Sequence, residues 1–260
     1  MDIKNAVSVY FSPTDSTHRI LSAITKELPW PVQELDITDY PADDGEYRLS
    51  ANELLLAGVP VYGGRVPAAA AQRLKNLHGD KTPAVIVAVY GNRDYDDALL
   101  ELRDLLEQRG FRVIAAAAFI AEHNIMRSVA TGRPDEQDFK AIEKFAQEVV
   151  KKLAKINKAD AAEPLALKGN LPYREYNGVP FKPSADNSCV KCGLCAAKCP
   201  VKAIPAETPE NTDTEKCITC MRCIKVCPQG ARSLNKLMLC AAEKLFALKN
   251  SNRKEPEIFI

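Results

Sequence analysis

The sequence predicts an α/β chain. A doubly wound parallel sheet should fill the first 157 residues, followed by a small α+β module built around metal ligands. Three observations predict it. Short apolar runs alternate with helical patterns as far as Lys155. The periodicity then stops between Asp160 and Asn187, where Pro164, Pro172, Pro180 and Pro183 fall. Beyond that gap, eight of the nine cysteines lie between residues 189 and 227.

The elements follow in order. Ala6 to Phe11 reads as a strand and Ser16 to Leu28 as a helix. Val32 to Ile37 is a second strand, and Glu53 to Val61 a third. The Ala-rich helix Pro67 to Leu77 precedes a fourth, nearly all-apolar strand, Pro83 to Tyr90. Asp96 to Arg109 is helical, Phe111 to Ala121 is the fifth strand, and Glu136 to Lys155 is a long amphipathic helix. Near-continuous apolar strands separated by helices argue for a parallel sheet covered on both faces. The expected strand order is 2-1-3-4-5. Residues 158–184 read as a linker. It is either a disordered spacer or a segment that Tyr173, Tyr176 and Phe181 pin to a surface. The metal module spans 185–233. A helix at Leu234 to Leu248 and a tail complete the chain to residue 260.

Composition narrows the function. Lys plus Arg number 35 against 34 Asp plus Glu, for a net charge of +1. That near-balance disfavours bulk electrostatic binding of nucleic acid. No apolar run reaches the roughly 20 residues of a membrane helix. The N-terminus lacks the apolar stretch of a secretory signal. A cytoplasmic chain is expected, and there nine cysteines need a reason other than disulfides.

The cysteines form an internal repeat. Cys189, Cys192, Cys195, Cys199 and Pro200 recur 28 residues later as Cys217, Cys220, Cys223, Cys227 and Pro228. Ala203 matches Ala231 in the same frame. In the spacing C-x₂-C-x₂-C-x₃-C-P, three thiolates hold one cubane and the fourth reaches the other. Cys189, Cys192, Cys195 and Cys227 are therefore assigned to one [4Fe–4S] cluster. Cys217, Cys220, Cys223 and Cys199 are assigned to a second. Structural zinc is the alternative, but it needs neither a third cysteine at this spacing nor the following proline. Four thiolates per cluster leave no iron open, which argues for one-electron transfer.

Ligands in open parallel sheets bind beyond the carboxyl ends of the strands. Three loops there are distinctive. Ser12-Pro13-Thr14-Asp15-Ser16-Thr17 opens a helix with hydroxyls and free N–H groups, as a phosphate site would; a simple Ser/Thr helix cap is the alternative. Pro60-Val61-Tyr62-Gly63-Gly64-Arg65 combines two glycines, which let backbone approach a flat ring, with a tyrosine to pack on it. A Gly-Gly turn alone would look the same. Tyr90-Gly91-Asn92-Arg93-Asp94-Tyr95 adds another glycine, two tyrosines for stacking and polar groups for a pyrimidine edge; a turn with an Asp cap is again the alternative. No G-x-x-x-x-G-K-[ST] or G-x-G-x-x-G pattern is present in the chain. His123 reads as a structural loop histidine near this edge, and Cys240 as a small buried hydrophobe.

With these loops in hand, residues 6–155 resemble the flavodoxin family. Residues 185–232 resemble bacterial two-cluster ferredoxins, and the whole is similar to flavodoxin–ferredoxin fusion proteins. The segments Ala121-Glu122-His123-Asn124 and Gly132-Arg133-Pro134-Asp135 share in that resemblance. It implies a flavodoxin-like fold with FMN, Ser12, Thr14, Ser16 and Thr17 around the phosphate, and the loops at Tyr62 and Tyr95 flanking the isoalloxazine. Flavodoxins commonly have Gly where this chain has Asp15. Asp tolerates the left-handed backbone, but its carboxylate opposes a phosphate.

Electron transfer between two clusters and FMN is the leading expectation, with redox proteins as partners. An FMN-dependent reductase of a quinone or flavin is the alternative, and a redox sensor with structural clusters a third. A homo-oligomer is left open.

Overall fold

A computed structural model describes residues 1–39 and 45–260. Strand β1 (Asn5–Tyr10) sends Val7 and Val9 into one apolar core and Ala6 and Tyr10 into another. That alternation belongs to a strand covered on both faces. Helix α1 (Ser16–Thr25) buries Ile20, Leu21 and Ile24 at helical spacing. It crosses the sheet where a side chain on Gly58 would strike the Leu21 methyl groups, so any larger residue there must displace them. The chain continues through β2 (Val32–Asp36), β3 (Tyr47–Leu49), β4 (Glu53–Pro60), α2 (Ala68–Leu74) and β5 (Leu77–Gly79). Then come β6 (Thr82–Tyr90), α3 (Ala98–Glu107), β7 (Phe111–Ile120) and α4 (Glu136–Lys155). All nine residues of β6 are buried, as a central parallel strand requires. An Asp135–Asp138 capping box starts α4.

The five long strands lie parallel in the order β2-β1-β4-β6-β7, the order expected for the five predicted strands and the flavodoxin-like one. Two features depart from expectation. Helix α2 stops at Leu74 because Leu77 pairs with Tyr47, making a small parallel ladder of β3 and β5. The C-terminal tail is also a strand, β10 (Glu257–Phe259), which runs antiparallel to β7 and makes the sheet six-stranded. Without β10 the outer edge of β7 would present unpaired N–H and C=O groups.

The cysteine-rich segment is small. β8 (Ser184–Ala185) pairs with β9 (Arg232–Ser233), and two one-turn helices, α5 (Leu194–Ala197) and α6 (Arg222–Lys225), lie between them in sequence. Helix α7 (Lys236–Asn250) follows, capped by the Asn235 side chain. None of its residues is buried, and Cys240 is exposed rather than buried as expected. The helix docks through Phe246, edge-on to His123 at 4.9 Å, and through Glu243, which accepts the Ser128 N–H at 2.8 Å.

The proline-rich stretch is pinned, the second of its two expected forms. Buried Asp97 accepts the N–H groups of Asn170 and Arg174 at 2.8 and 2.7 Å. Tyr173 donates to Asp104 at 2.5 Å, and Lys168 pairs with Asp94 at 2.8 Å.

Candidate functional site

A cavity of about 350 Å³ lies at the carboxyl ends of β4, β6 and β7. Small-molecule sites range over roughly 300–1,000 Å³. Its floor includes Pro60, Val61, Tyr62 and Gly63 from one loop and Tyr90 and Gly91 from the next. Ser16 enters from the loop after β1. Its roof comes from distant sequence: Tyr176, Val179 and Phe181 of the pinned stretch, Ile218 and Thr219 of the cysteine segment, and Phe246 of α7.

The first loop is a tight nest. Asp15 stands in the left-handed region at φ 71°. The Ser12 hydroxyl accepts the His18 N–H at 3.0 Å, and the Ser12 N–H donates to the Thr38 hydroxyl at 2.6 Å. Thr14 donates to Asn124 at 3.0 Å. Thr17 is fully buried, and its hydroxyl has no hydrogen-bond partner. The Asp15 carboxylate has two cations or potential cations nearby: His18 at 3.0 Å and Lys225 at 3.9 Å. Lys225 also donates to the Thr14 carbonyl at 2.8 Å. The loop itself carries no basic residue; one reaches it from the cysteine segment.

In the second loop, Tyr62 and Arg65 exchange both backbone hydrogen bonds across Gly63 and Gly64, which have φ of 60° and 86°. Two successive positive φ values make the tight turn that favours Gly-Gly. A side chain on Gly63 would meet the Tyr176 ring. Tyr62 and Gly63 face the cavity, whereas Gly64 and Arg65 face away from it. Arg65 grips Glu101 through two bonds of 2.7 and 2.9 Å and lies over the Tyr173 ring, so its role is to hold the pinned stretch.

The third loop corrects two expectations. Tyr95 does not flank the cavity. It is fully buried, edge-on to Tyr90, and donates to Glu257 of β10 at 2.6 Å. Asn92 is also turned inward, donating to the carbonyls of Asn250 and Asn252 at 2.7 and 2.8 Å. Both residues anchor the C-terminal tail. The ring position expected of Tyr95 is taken by residues remote in sequence, Tyr176 and Phe246 among them.

His123 is a wall residue as well as a structural one. Its Nδ1 accepts the N–H groups of Ile125 and Met126 at 3.1 and 3.0 Å, which leaves the proton on Nε2. Burial, aided by Arg93, pushes its pKa down to about 4. It is therefore a neutral N–H donor on the cavity wall at neutral pH.

The cysteines separate into two groups. Cys189, Cys192, Cys195 and Cys227 line one small cavity with Pro209, Ala231 and Arg232. Cys199 faces Cys217, Cys220 and Cys223: it and Cys217 raise the pKa of both Cys220 and Cys223, after burial as the main cause. The fourth cysteine of each repeat thus stands with the first three of the other. The Cys199 sulfur accepts the Ala203 N–H at 3.2 Å, and the matching Ala231 N–H is among those that lower the Cys227 pKa against the effect of burial. Such N–H groups favour a thiolate.

The second group adjoins the cavity at the carboxyl ends of the strands. Ile218 and Thr219, which lie between Cys217 and Cys220, are part of its roof. Tyr62 stands on the cavity wall with its hydroxyl buried and unpartnered. Burial first, then Cys220, Tyr176 and Cys217, holds its pKa well above the ordinary range.

Residues 188–231 match the 4Fe-4S dicluster domain family. Two uncharacterized proteins of Methanocaldococcus jannaschii are similar over short stretches. One is 40% identical over 50 residues, which is 19% of this chain and 19% of its own length. The other is 36% identical over 55 residues, 21% of this chain and 22% of its own. The chain thus spans about a fifth of the curated relatives it matches. Among solved structures, a flavodoxin from the domain Archaea is 13% identical, covering 58% of this chain and 99% of its own, with a TM-score of 0.41. An NADH:FMN oxidoreductase in its apo form is 13% identical over 59% of this chain and 92% of its own, with a TM-score of 0.43. These likenesses are loose, and the fold rests on the strand order instead. Among the described residues no helix is long and apolar enough to cross a membrane. By strand order at one end and by the matched segment at the other, the chain joins a flavodoxin-like sheet to a 4Fe–4S ferredoxin-type segment.

Proposed function

We propose that the chain is an electron-transfer iron–sulfur flavoprotein, in which two [4Fe–4S] clusters exchange electrons with FMN. Residues 1–157 would form the flavin domain, 158–184 the linker and 185–233 the cluster domain. The observation that carries the reading is adjacency. The segment between Cys217 and Cys220 forms part of the roof of the cavity at the sheet's ligand edge. The chain therefore brings a candidate cluster against a candidate flavin pocket.

The residues present suit both groups. Cys189, Cys192, Cys195 and Cys227 would hold the distal cluster, and Cys199, Cys217, Cys220 and Cys223 the proximal one. The unpartnered hydroxyl of Thr17 supports a phosphate at the first loop, with Ser12, Thr14, Asp15 and Ser16 around it. Lys225 offsets the Asp15 charge there. Pro60, Val61, Tyr62, Gly63, Tyr90 and Gly91 would receive the ring, and His123 would offer Nε2–H as a donor. FMN accepts electrons singly or in pairs, whereas each cluster carries one. The chain's own work is to hold the two groups close, exclude water with Tyr176, Phe181 and Phe246, and keep His123 neutral.

A second chamber of about 710 Å³ shares Ser16, Glu122, Asn124 and Ile125 with the first and is also lined by Thr14 and Lys225, so it would admit the phosphate end of the same flavin. Anaerobic purification with iron, sulfide and flavin quantitation, then stepwise redox titration, tests the proposal. About eight irons, eight sulfides and one flavin per chain are expected. Zinc, or no bound flavin after reconstitution, would overturn it. Turnover of quinones or free flavins by the reduced protein would favour the reductase.

A further inference from the structure

The two halves of the cysteine repeat differ in chemistry at a position that is buried in both. In the 28-residue frame that superposes Cys199 on Cys227 and Ala203 on Ala231, Ile204 corresponds to Arg232. Ile204 is 5% exposed and Arg232 2%, so an apolar side chain in one half is replaced by a buried cation in the other. An uncompensated interior charge is costly, and no carboxylate forms a salt bridge with Arg232 among the described residues.

What surrounds Arg232 is neutral or sulfur. Its Nη atoms donate to the carbonyls of Pro209 at 2.5 Å and Pro183 at 3.0 Å, and to the Thr212 hydroxyl. Nη1 also lies 3.8 Å from the Cys195 sulfur. Its Nε–H is buried with no partner. The side chain lines the cavity of Cys189, Cys192, Cys195 and Cys227, and its backbone N–H favours the Cys227 thiolate. The guanidinium also reaches the other group: its charge and a side-chain hydrogen bond lower the Cys223 thiol against the stronger effect of burial. The cavity lining and the Cys195 contact place its closest recorded sulfur in the first group.

We propose that Arg232 is the positioning residue that makes the two clusters unequal, raising the potential of the distal cluster above that of the proximal one. The inference rests on the two-cluster reading. An oxidised cubane with four thiolates carries about −2, and about −3 after gaining one electron. A fixed, desolvated cation stabilises the more negative state more, and an N–H donated to cluster or thiolate sulfur acts in the same direction. One electron would then leave the proximal cluster, which is oxidised, and enter the distal cluster, which is reduced. Ile204 gives the proximal cluster no matching cation. The electron should favour the distal site by at least tenfold, about 59 mV for a one-electron couple.

Anaerobic potentiometric titration with dithionite, followed by electron paramagnetic resonance, tests this on the full-length, cluster-loaded protein. Two separate one-electron waves are expected. Arg232→Gln should lower the upper wave by tenfold or more in reduced-to-oxidised ratio and lower the other wave by less. Arg232→Lys, which keeps the charge, should hold the upper wave near its original position. Coincident waves in the unaltered protein would overturn the inference, as would equal shifts in Gln and Lys. The unaltered titration suffices if Arg232→Gln fails to fold. Eight irons with coincident waves sinks this inference alone, whereas fewer than eight sinks the two-cluster reading with it.

Discussion

The sheet and the cysteine segment are stabilised by different means. The sheet carries two extensive apolar cores, one on each face, drawn from strands and helices that are buried along most of their length. The cysteine segment has a core of five buried residues, Cys195, Ala196, Cys199, Ala203 and Ile204, two of them proposed ligands. Its helices α5 and α6 have four residues each, and its one ladder has strands of two. Segments this small rarely bury enough to fold unaided. The sheet should stand on hydrophobic burial, and the segment on metal–sulfur bonds.

Removing the metal should break the comparison open most widely. Chelation under mild conditions should abolish amide protection across residues 186–232 while β1, β4, β6 and β7 keep theirs. Hydrogen exchange read by mass spectrometry measures both at once. Protection that survives chelation in the cysteine segment would mean that its packing suffices.

The converse experiment truncates the sheet's core. Phe119 is fully buried and meets Phe145 edge-on at 5.7 Å. Phe119→Ala should cost about 3–5 kcal/mol in chemical denaturation of the sheet. The iron content of the folded fraction should not change. A loss of iron in parallel with sheet stability would show one cooperative unit rather than two.

The same contrast explains what could be read from the sequence. β4, β6 and β7 were legible because apolar runs report burial on both faces. The cysteine repeat was legible because ligand spacing encodes geometry directly. The tail strand was not: Glu257, Ile258 and Phe259 form no pattern of their own, and their pairing follows from the open edge of β7. Tyr95 was misplaced for a related reason. A loop tyrosine beside a ligand edge looks available for stacking until Glu257, 162 residues away, claims its hydroxyl. The cavity's roof was legible in part: Tyr176 and Phe181 stood out as pins, but the stretch has no periodicity, and its course is fixed by distant carboxylates at Asp97 and Asp104. Lys225, invisible as a loop residue, comes from the other end of the molecule.

Acid should sharpen the comparison through His123, which follows β7 of the sheet and packs against Phe246 of α7. An unfolded chain takes its proton near pH 6.5, whereas the fold resists until about 4. Between those values the unfolded state binds the extra proton, so sheet stability is full above 6.5 and falls as pH drops toward 4. The loss approaches about 3 kcal/mol. His123→Gln should flatten that slope in denaturation series between pH 4 and 7. An unchanged slope would assign the acid sensitivity to other groups.

The smallest effect probes where the two regions stop being independent. Lys225 sits between Cys223 and Cys227, yet its ammonium group holds the Thr14 carbonyl and lies near Asp15. It is half exposed, so its attraction for a phosphate at this loop is partly screened. Lys225→Ala should weaken FMN binding by about 1 kcal/mol, or roughly fivefold, and the deficit should shrink as salt is added. Fluorescence titration of flavin into cluster-loaded protein measures it. Linkage requires the reverse as well: bound flavin must stabilise the placement of Lys225, and with it the cysteine segment, by the same amount. An affinity indifferent to both Lys225 and salt would leave the two regions neighbours that share a cavity wall without sharing its binding energy.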